Sequence, residues 1–206
     1  MSDQHQAEDV ATHNEKSLQT LMRAIRLSQG EFSLILVRCN YVDLQERMVK
    51  RLHQLSSVKI REITLPASIK TLYTTIREEL GDEQEQPAAL MVFALGSVKD
   101  LDTVLTLANR VREEFRQNFP FPMLLWVNDQ VLEKLLRLAT DLENWATTIE
   151  FVLDSYELAN LLRQKTDEIF ASSLTLNFQT CWELETARKD LQSRGQVIEA
   201  EVQASL

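Results

Sequence analysis

The chain has 206 residues, 44% of them apolar and 26% charged, with 31 acids against 22 basic residues and a net charge of −9. That length suits one α/β domain with a sizeable core and an extra segment, and the acidic balance argues against non-specific binding to nucleic acid or anionic membranes, which need a basic face. No run approaches the roughly 20 apolar residues of a membrane span, and Met1–Asn14 lacks an apolar signal core. Cys39 and Cys181 belong to no Cys-x-x-Cys or Cys/His cluster, which argues against zinc and reads as two reduced thiols in a soluble cytoplasmic protein.

Residues 1–15 are polar and aperiodic, the pattern of a disordered or frayed extension. From Lys16 to Leu27, Leu18, Leu21, Met22 and Ile25 fall on one helical face, and Gln29-Gly30 ends the helix. Strand one, Phe32–Val37, is nearly all apolar, as expected of a strand buried on both faces of a parallel sheet. The next helix is faced by Leu44, Met48, Leu52 and Leu55. Strand two, Val58–Leu65, mixes Val58 and Ile60 with Lys59, Arg61 and Glu62, which suits an edge better than a centre.

Pro66 opens a turn, and Ile69, Leu72, Tyr73, Ile76 and Leu80 form the next helical stripe. A polar loop at 81–87 leads to strand three, Ala88–Leu95, again continuously apolar. Gly96-Ser97 then turns into a helix faced by Leu101, Val104, Leu105, Ala108, Val111 and Phe115. Strand four, Met123–Val127, is also continuous; a helix with Val131, Leu132, Leu135, Leu136 and Leu138 follows, then a short turn or helix at Asp141–Trp145. Strand five, Thr148–Leu153, alternates Ile149, Phe151 and Leu153 with Thr148 and Glu150, the mark of a second edge. A helix from Ser155 to Phe170 closes the domain. Beyond Ala171 the pattern weakens: Leu174–Phe178 suits strand or helix, Trp182–Gln192 is helical, and Gln196–Leu206 is a short acidic stretch.

Alternating strands and helices predict an α/β three-layer sandwich at 16–170, built on a five-stranded, mainly parallel sheet with right-handed crossovers, and a helical tail or connector at 171–206. Strands one, three and four are central; two and five are edges. Two orders meet that pattern: 5-1-4-3-2, as in phosphate-loop ATPases of the AAA type, and 2-1-3-4-5, as in flavodoxin-like folds. Periodicity does not choose between them.

In nucleotide-binding α/β proteins the turn after strand one carries glycines whose backbone N–H groups wrap phosphate, then a Lys and a Ser or Thr. Arg38-Cys39-Asn40-Tyr41-Val42-Asp43 has none of these, and Asp43 and Glu46 would repel a triphosphate while complementing the helix dipole. Asn40 reads as an N-cap and Arg38 as a solvent-facing or acid-paired arginine. No acid suited to Mg²⁺ follows strand three before Asp100, which with Ser97 reads as a capping arrangement. Asn128 stands where related ATPases keep a polar sensor, yet reads first as a helix cap, as does Asp154-Ser155. Receiver-type acid pairs, a hydroxyl-rich flavin loop and a histidine-based nucleophile motif are all missing: His5 and His13 lie in the extension and His53 on a helix. Trp126, Trp145 and Trp182 read as packing residues, with Trp182, in the tail, the candidate interface anchor.

Three stretches, Glu31-Phe-Ser-Leu-Ile-Leu-Val-Arg-Cys-Asn-Tyr41, Phe121-Pro-Met-Leu-Leu-Trp-Val-Asn-Asp129 and Asp141-Leu-Glu-Asn-Trp-Ala146, resemble the inactive STAND domains of bacterial, notably cyanobacterial, multidomain proteins. The resemblance runs from Leu18 to Asp190. It implies a STAND-type ATPase module that has lost its nucleotide motifs, the 5-1-4-3-2 order, and a role as scaffold or oligomerisation unit in signalling or defence. Such proteins often continue into tetratricopeptide or other repeats, and Glu183–Leu206 resembles the connector into them. The expectation is therefore a non-catalytic module with no cofactor or metal, acting on a protein partner or as a homo-oligomer through its C-terminal tail, with no nucleic-acid or membrane partner. The alternative is a divergent nucleotide-binding switch contacting its ligand through Arg38, Asn40 and Asn128.

Overall fold

Continuous apolar runs need cover on both faces, and three of the strands have it. The computed structural model describes residues 2–81, 86–171 and 178–194. In order, the elements are α1 (Ser2–Leu27), β1 (Ser33–Arg38), α2 (Val42–Leu55), β2 (Ile60–Thr64), α3 (Leu72–Leu80), β3 (Ala89–Phe93), a 3-10 turn (Leu95–Ser97), α4 (Leu101–Arg110), α5 (Arg112–Asn118), β4 (Pro122–Val127), α6 (Asp129–Leu138), α7 (Thr140–Glu143), β5 (Ala146–Glu150), α8 (Ser155–Ala171) and α9 (Phe178–Ser193). The chain divides into two compact units, Lys16–Phe151 and the pair Met1–Glu15 with Val152–Leu206.

The first unit holds the sheet. Its order is β2-β3-β4-β1-β5, with every neighbouring pair parallel. This is 5-1-4-3-2 read from the other edge, so the flavodoxin-like order falls away. All six β4 residues are buried, and so are the inner four of β1, whereas the edge strands β2 and β5 expose alternate or adjacent positions. One face of the sheet, with Leu34, Leu36, Leu90, Val92, Met123 and Leu125, joins Ile76, Leu105, Phe115 and Leu135 from the helices in a single core. Residues of the opposite parity, Ile35, Val37, Met91 and Leu124, are at 0% exposure as well. On that second face Trp126 stacks between Phe93 and Phe151, with ring centroids 6.1 and 6.0 Å away.

Element limits differ from expectation at β5 and between Leu101 and Phe115. β5 is Ala146–Glu150 rather than Thr148–Leu153. Its pairing stops because β1 ends at Arg38, whose carbonyl accepts the Phe151 N–H (2.9 Å), while buried alternation runs on through Phe151 and Leu153. The single stripe from Leu101 to Phe115 is two helices that meet at Val111 (φ −104°, ψ 23°), and the Asn109 carbonyl accepts from Arg112 Nη1 (3.0 Å) there. Both halves keep their apolar face inward, so periodicity does not register the break.

The second unit corrects the proposed domain limits. Residues 2–15 are the first part of α1, not a frayed extension, and α8 belongs with them and with α9 rather than with the sheet. The physical reason is Asn14, buried at 8% exposure, whose carboxamide donates to the Val152 carbonyl (2.8 Å) and accepts from the Val152 N–H (3.0 Å). Leu158 and Leu162 of α8 and Leu184, Ala187 and Leu191 of α9 are buried. Arg194 Nη1 donates to the Leu153 carbonyl (2.9 Å). Most of Leu174–Phe178, and all of Gln196–Leu206, lie outside the described residues.

Candidate functional site

The carboxyl ends of β1, β4 and β5 meet where ligands of open α/β sheets bind. β1 lies between the other two, and its last residue, Arg38, is in register with Val127 of β4 and Glu150 of β5. Glu150 therefore shares Arg38's side of the sheet, and Asp129 opens α6 two residues past Val127. Arg38 reaches both. Its Nε and Nη2 donate to the two Asp129 carboxylate oxygens (2.5 and 2.9 Å), and its Nη1 donates to Glu150 Oε1 (2.6 Å). A forked guanidinium–carboxylate pair of this kind fixes orientation as well as adding energy.

Asn40 completes the cluster. Its Nδ2 donates to Asp129 Oδ2 and its Oδ1 accepts the Asp129 N–H, both at 3.0 Å. Asn40 is thus not the N-cap of α2. That position falls to Tyr41, buried and with no side-chain capping bond. Asp129 collects three donated hydrogen bonds. Partial burial pushes its carboxyl upward, but the bonds from Arg38 and Asn40, with Arg38's charge, outweigh that and hold it below its ordinary value.

The turn itself is short. Only Cys39, Asn40 and Tyr41 separate β1 from α2. Cys39 N–H extends the ladder to the Val127 carbonyl (2.9 Å), and the Tyr41 carbonyl accepts from both Cys39 Sγ (3.4 Å) and Gln45 N–H (2.9 Å). Three residues, two of them buried, leave no wide glycine loop of the kind that wraps phosphates.

Neighbouring helix starts are capped from within. Asn128 Oδ1 accepts from Val131 N–H (2.9 Å), capping α6, and Asp100 accepts from Thr103 N–H (3.4 Å), capping α4. Thr71 caps α3 through Thr74 N–H (3.2 Å). In the second unit Asp154 and Glu157 form a reciprocal capping box, at 2.7 and 3.2 Å. After β3 the chain passes through Ala94 in the left-handed region (φ 63°) and Gly96, and an added Gly96 Cβ would lie 3.4 Å from Val131 and 3.5 Å from Asn128. Among the described residues no three His, Cys, Asp or Glu side chains gather as a metal site.

The structure thus brings Arg38 and Asn40 together on Asp129 and places Asn128 one residue away as a cap. Trp182 is on α9, partly buried. His53 is half-exposed and bonded to Glu62. Sequence reading missed Asp129 and Glu150 as site residues; the only available signal was an arginine and two acids at the ends of strands that the 5-1-4-3-2 order makes adjacent. No described helix is long and apolar enough to cross a membrane.

No protein-family model matches the chain, and no curated protein does. Among solved structures, the Aeropyrum pernix ORC1 protein in complex with DNA is similar at 13% identity, over 94% of this chain and 64% of that one, with a TM-score of 0.39. A likeness that slight carries no weight for fold or function.

Proposed function

We propose that this chain is a non-catalytic α/β module of the inactive STAND type, which acts by contact with other protein chains in a signalling or defence setting. The observation that carries this reading is the Asp129 carboxylate seated on Arg38 and Asn40. An internal anion takes up the donors that a nucleotide phosphate would use at this edge, and the short filled turn after β1 offers no replacement.

The rival reading is a nucleotide switch that has diverged in sequence. What favours it is α2, which has no side-chain cap, in the position where a phosphate-binding helix would stand. Isothermal titration with ATP, ADP, GTP and GDP in the presence of Mg²⁺ separates the two. The module reading expects no saturable heat at nucleotide concentrations up to about 1 mM, far above the dissociation constant of a working switch. Micromolar binding abolished by Arg38→Ala would establish the switch instead.

A further inference from the structure

Asp129 is the first residue of α6, yet its side chain does not cap that helix. Asn128 does so, accepting from Val131 N–H (2.9 Å). The Asp129 carboxylate turns instead to the end of β1. It accepts from Arg38 Nε and Nη2 (2.5 and 2.9 Å) and from Asn40 Nδ2 (3.0 Å). Asn40 is oriented in turn, because its Oδ1 accepts the Asp129 N–H (3.0 Å).

Three donors thus converge on one carboxylate: two from a rigid guanidinium fork and one from a fixed carboxamide. Such a set suits a planar oxyanion. The environment also favours charge there. Arg38 is a cation, and the start of α6, a helix of 10 residues, adds the positive end of a helix dipole. Partial burial pushes the Asp129 carboxyl upward, yet the bonds from Arg38 and Asn40, with Arg38's charge, hold it below its ordinary value.

We propose that Arg38 and Asn40 form a seat for a small carboxylate, and that Asp129 is its built-in occupant, a contact that keeps the seat closed to carboxylates from outside. The proposal rests on the reading above, in which an internal anion takes up these donors, and adds which ligand they select and what regulates access. Charge bounds the ligand. Glu150 Oε1 already accepts from Arg38 Nη1 (2.6 Å), and Asp43 lies in the first turn of α2, just after Asn40. A singly charged carboxylate replaces Asp129 like for like, whereas a multiply charged phosphate would be repelled by these acids. Shape agrees, since two coplanar oxygens meet the Nε and Nη2 pair. The Asp129 side chain is 41% exposed, so an external carboxylate can reach the seat from solvent once that side chain is gone. While it is present, tethering gives it an effective concentration of about millimolar or more, which free carboxylates must exceed to displace it.

The test compares the full wild-type chain with Asp129→Ala, with Asp129→Asn, and with Asp129→Ala combined with Arg38→Met. Acetate is the probe, against chloride at equal ionic strength. The readouts are the melting temperature and the Arg38 Nε–H signal in NMR. Acetate should bind Asp129→Ala saturably with a dissociation constant of about 10 mM. At about tenfold that concentration it should raise the melting temperature by roughly 3–6 °C and move the Arg38 signal. Phosphate should bind the same variant about tenfold more weakly. Wild type, Asp129→Asn, whose carboxamide still fills the seat, and the double variant should respond to acetate no more than to chloride. Asp129→Ser also empties the seat and must behave as Asp129→Ala does, so loss of fold in one variant leaves the test standing. No saturable effect on the emptied variants, an acetate response in wild type, Asp129→Asn or the double variant, or phosphate binding as tightly as acetate each overturns the proposal. Any of these with the wild type silent to nucleotides removes the seat alone; micromolar nucleotide binding to the wild type removes the reading beneath it.

Discussion

Arg38 holds apart two carboxylates that would otherwise face each other across the end of β1. Its side chain is 31% exposed, against 41% for Asp129 and 37% for Glu150, so solvent weakens each pair. Arg38→Ala should still cost about 1–2 kcal/mol in urea unfolding, more than a surface ion pair, because the fork is lost and two acids are left together. The pH dependence follows from Asp129. Its folded pKa lies below the ordinary 3.8, so its ionised form contributes stability above that value, and the contribution is lost as pH falls through the folded pKa. Asp129→Asn should therefore flatten the acid limb of stability below about pH 4, checked by urea titrations at several pH values. An unchanged limb would mean that Arg38 and Asn40 do not favour the ionised form. For Arg38 the sequence left a solvent-facing and an acid-paired reading open, and for Asn40 it suggested a helix cap. Capping is a local inference, whereas Asn40 spends its carboxamide on a residue 89 positions away. Only the strand order makes that contact predictable: in the flavodoxin-like order β1 would sit between β2 and β3, far from Asp129 and Glu150.

At the level of elements, the boundaries that sequence reading found are those where the chain itself changes chemistry. Asn128, Asp100 and Asp154 cap as their residue types suggest. The break at Val111 and the early end of β5 were invisible because neither interrupts the apolar face. Two glycines illustrate how local backbone decides tolerance. Gly81 ends α3 at φ 63°, ψ −164°, a region nearly closed to other residues, although nothing lies within 4 Å of an added Cβ. Gly96 has an ordinary φ and neighbours at 3.4 and 3.5 Å. Gly81→Ala should cost about 1–3 kcal/mol through backbone strain alone, while Gly96→Ala should stay within about 0.5 kcal/mol of zero, since Ala there meets only ordinary contact and reduces unfolded-state freedom. Thermal or urea unfolding of the two variants decides it. Equal losses would mean that steric space, not φ, governs both sites.

For the whole sheet, hydrophobic patterning and strand order carry one message. Runs without polar interruption, Leu34–Val37, Ala89–Val92 and Met123–Val127, are the strands with two neighbours, and the interrupted runs are the edges. The pattern was readable because a strand covered on both faces leaves no room for alternation. What patterning left open was which central strand joins which edge, since burial is the same in both candidate orders. The same gradient sets an order of local stability. An amide in β4 or β1 opens only when both flanking ladders part and apolar surface on two faces meets water; an amide on an edge parts from one ladder. Native-state hydrogen exchange should therefore rank inward amides of β4 and β1 slowest, β3 next, and β2 and β5 fastest. Phe151 N–H donates to the Arg38 carbonyl, so alternation turns the amides of Ala146, Thr148 and Glu150 away from β1, and these should exchange as if unstructured. In the β2-β3-β4-β1-β5 order Arg61 and Thr148 stand on opposite outer edges, so protection of Thr148 comparable to that of Leu125 would mean that another strand already covers β5. Slow exchange confined to β5, with β2 still fast, would point to the same cover, because the charges on β2 keep that edge open whatever binds its counterpart.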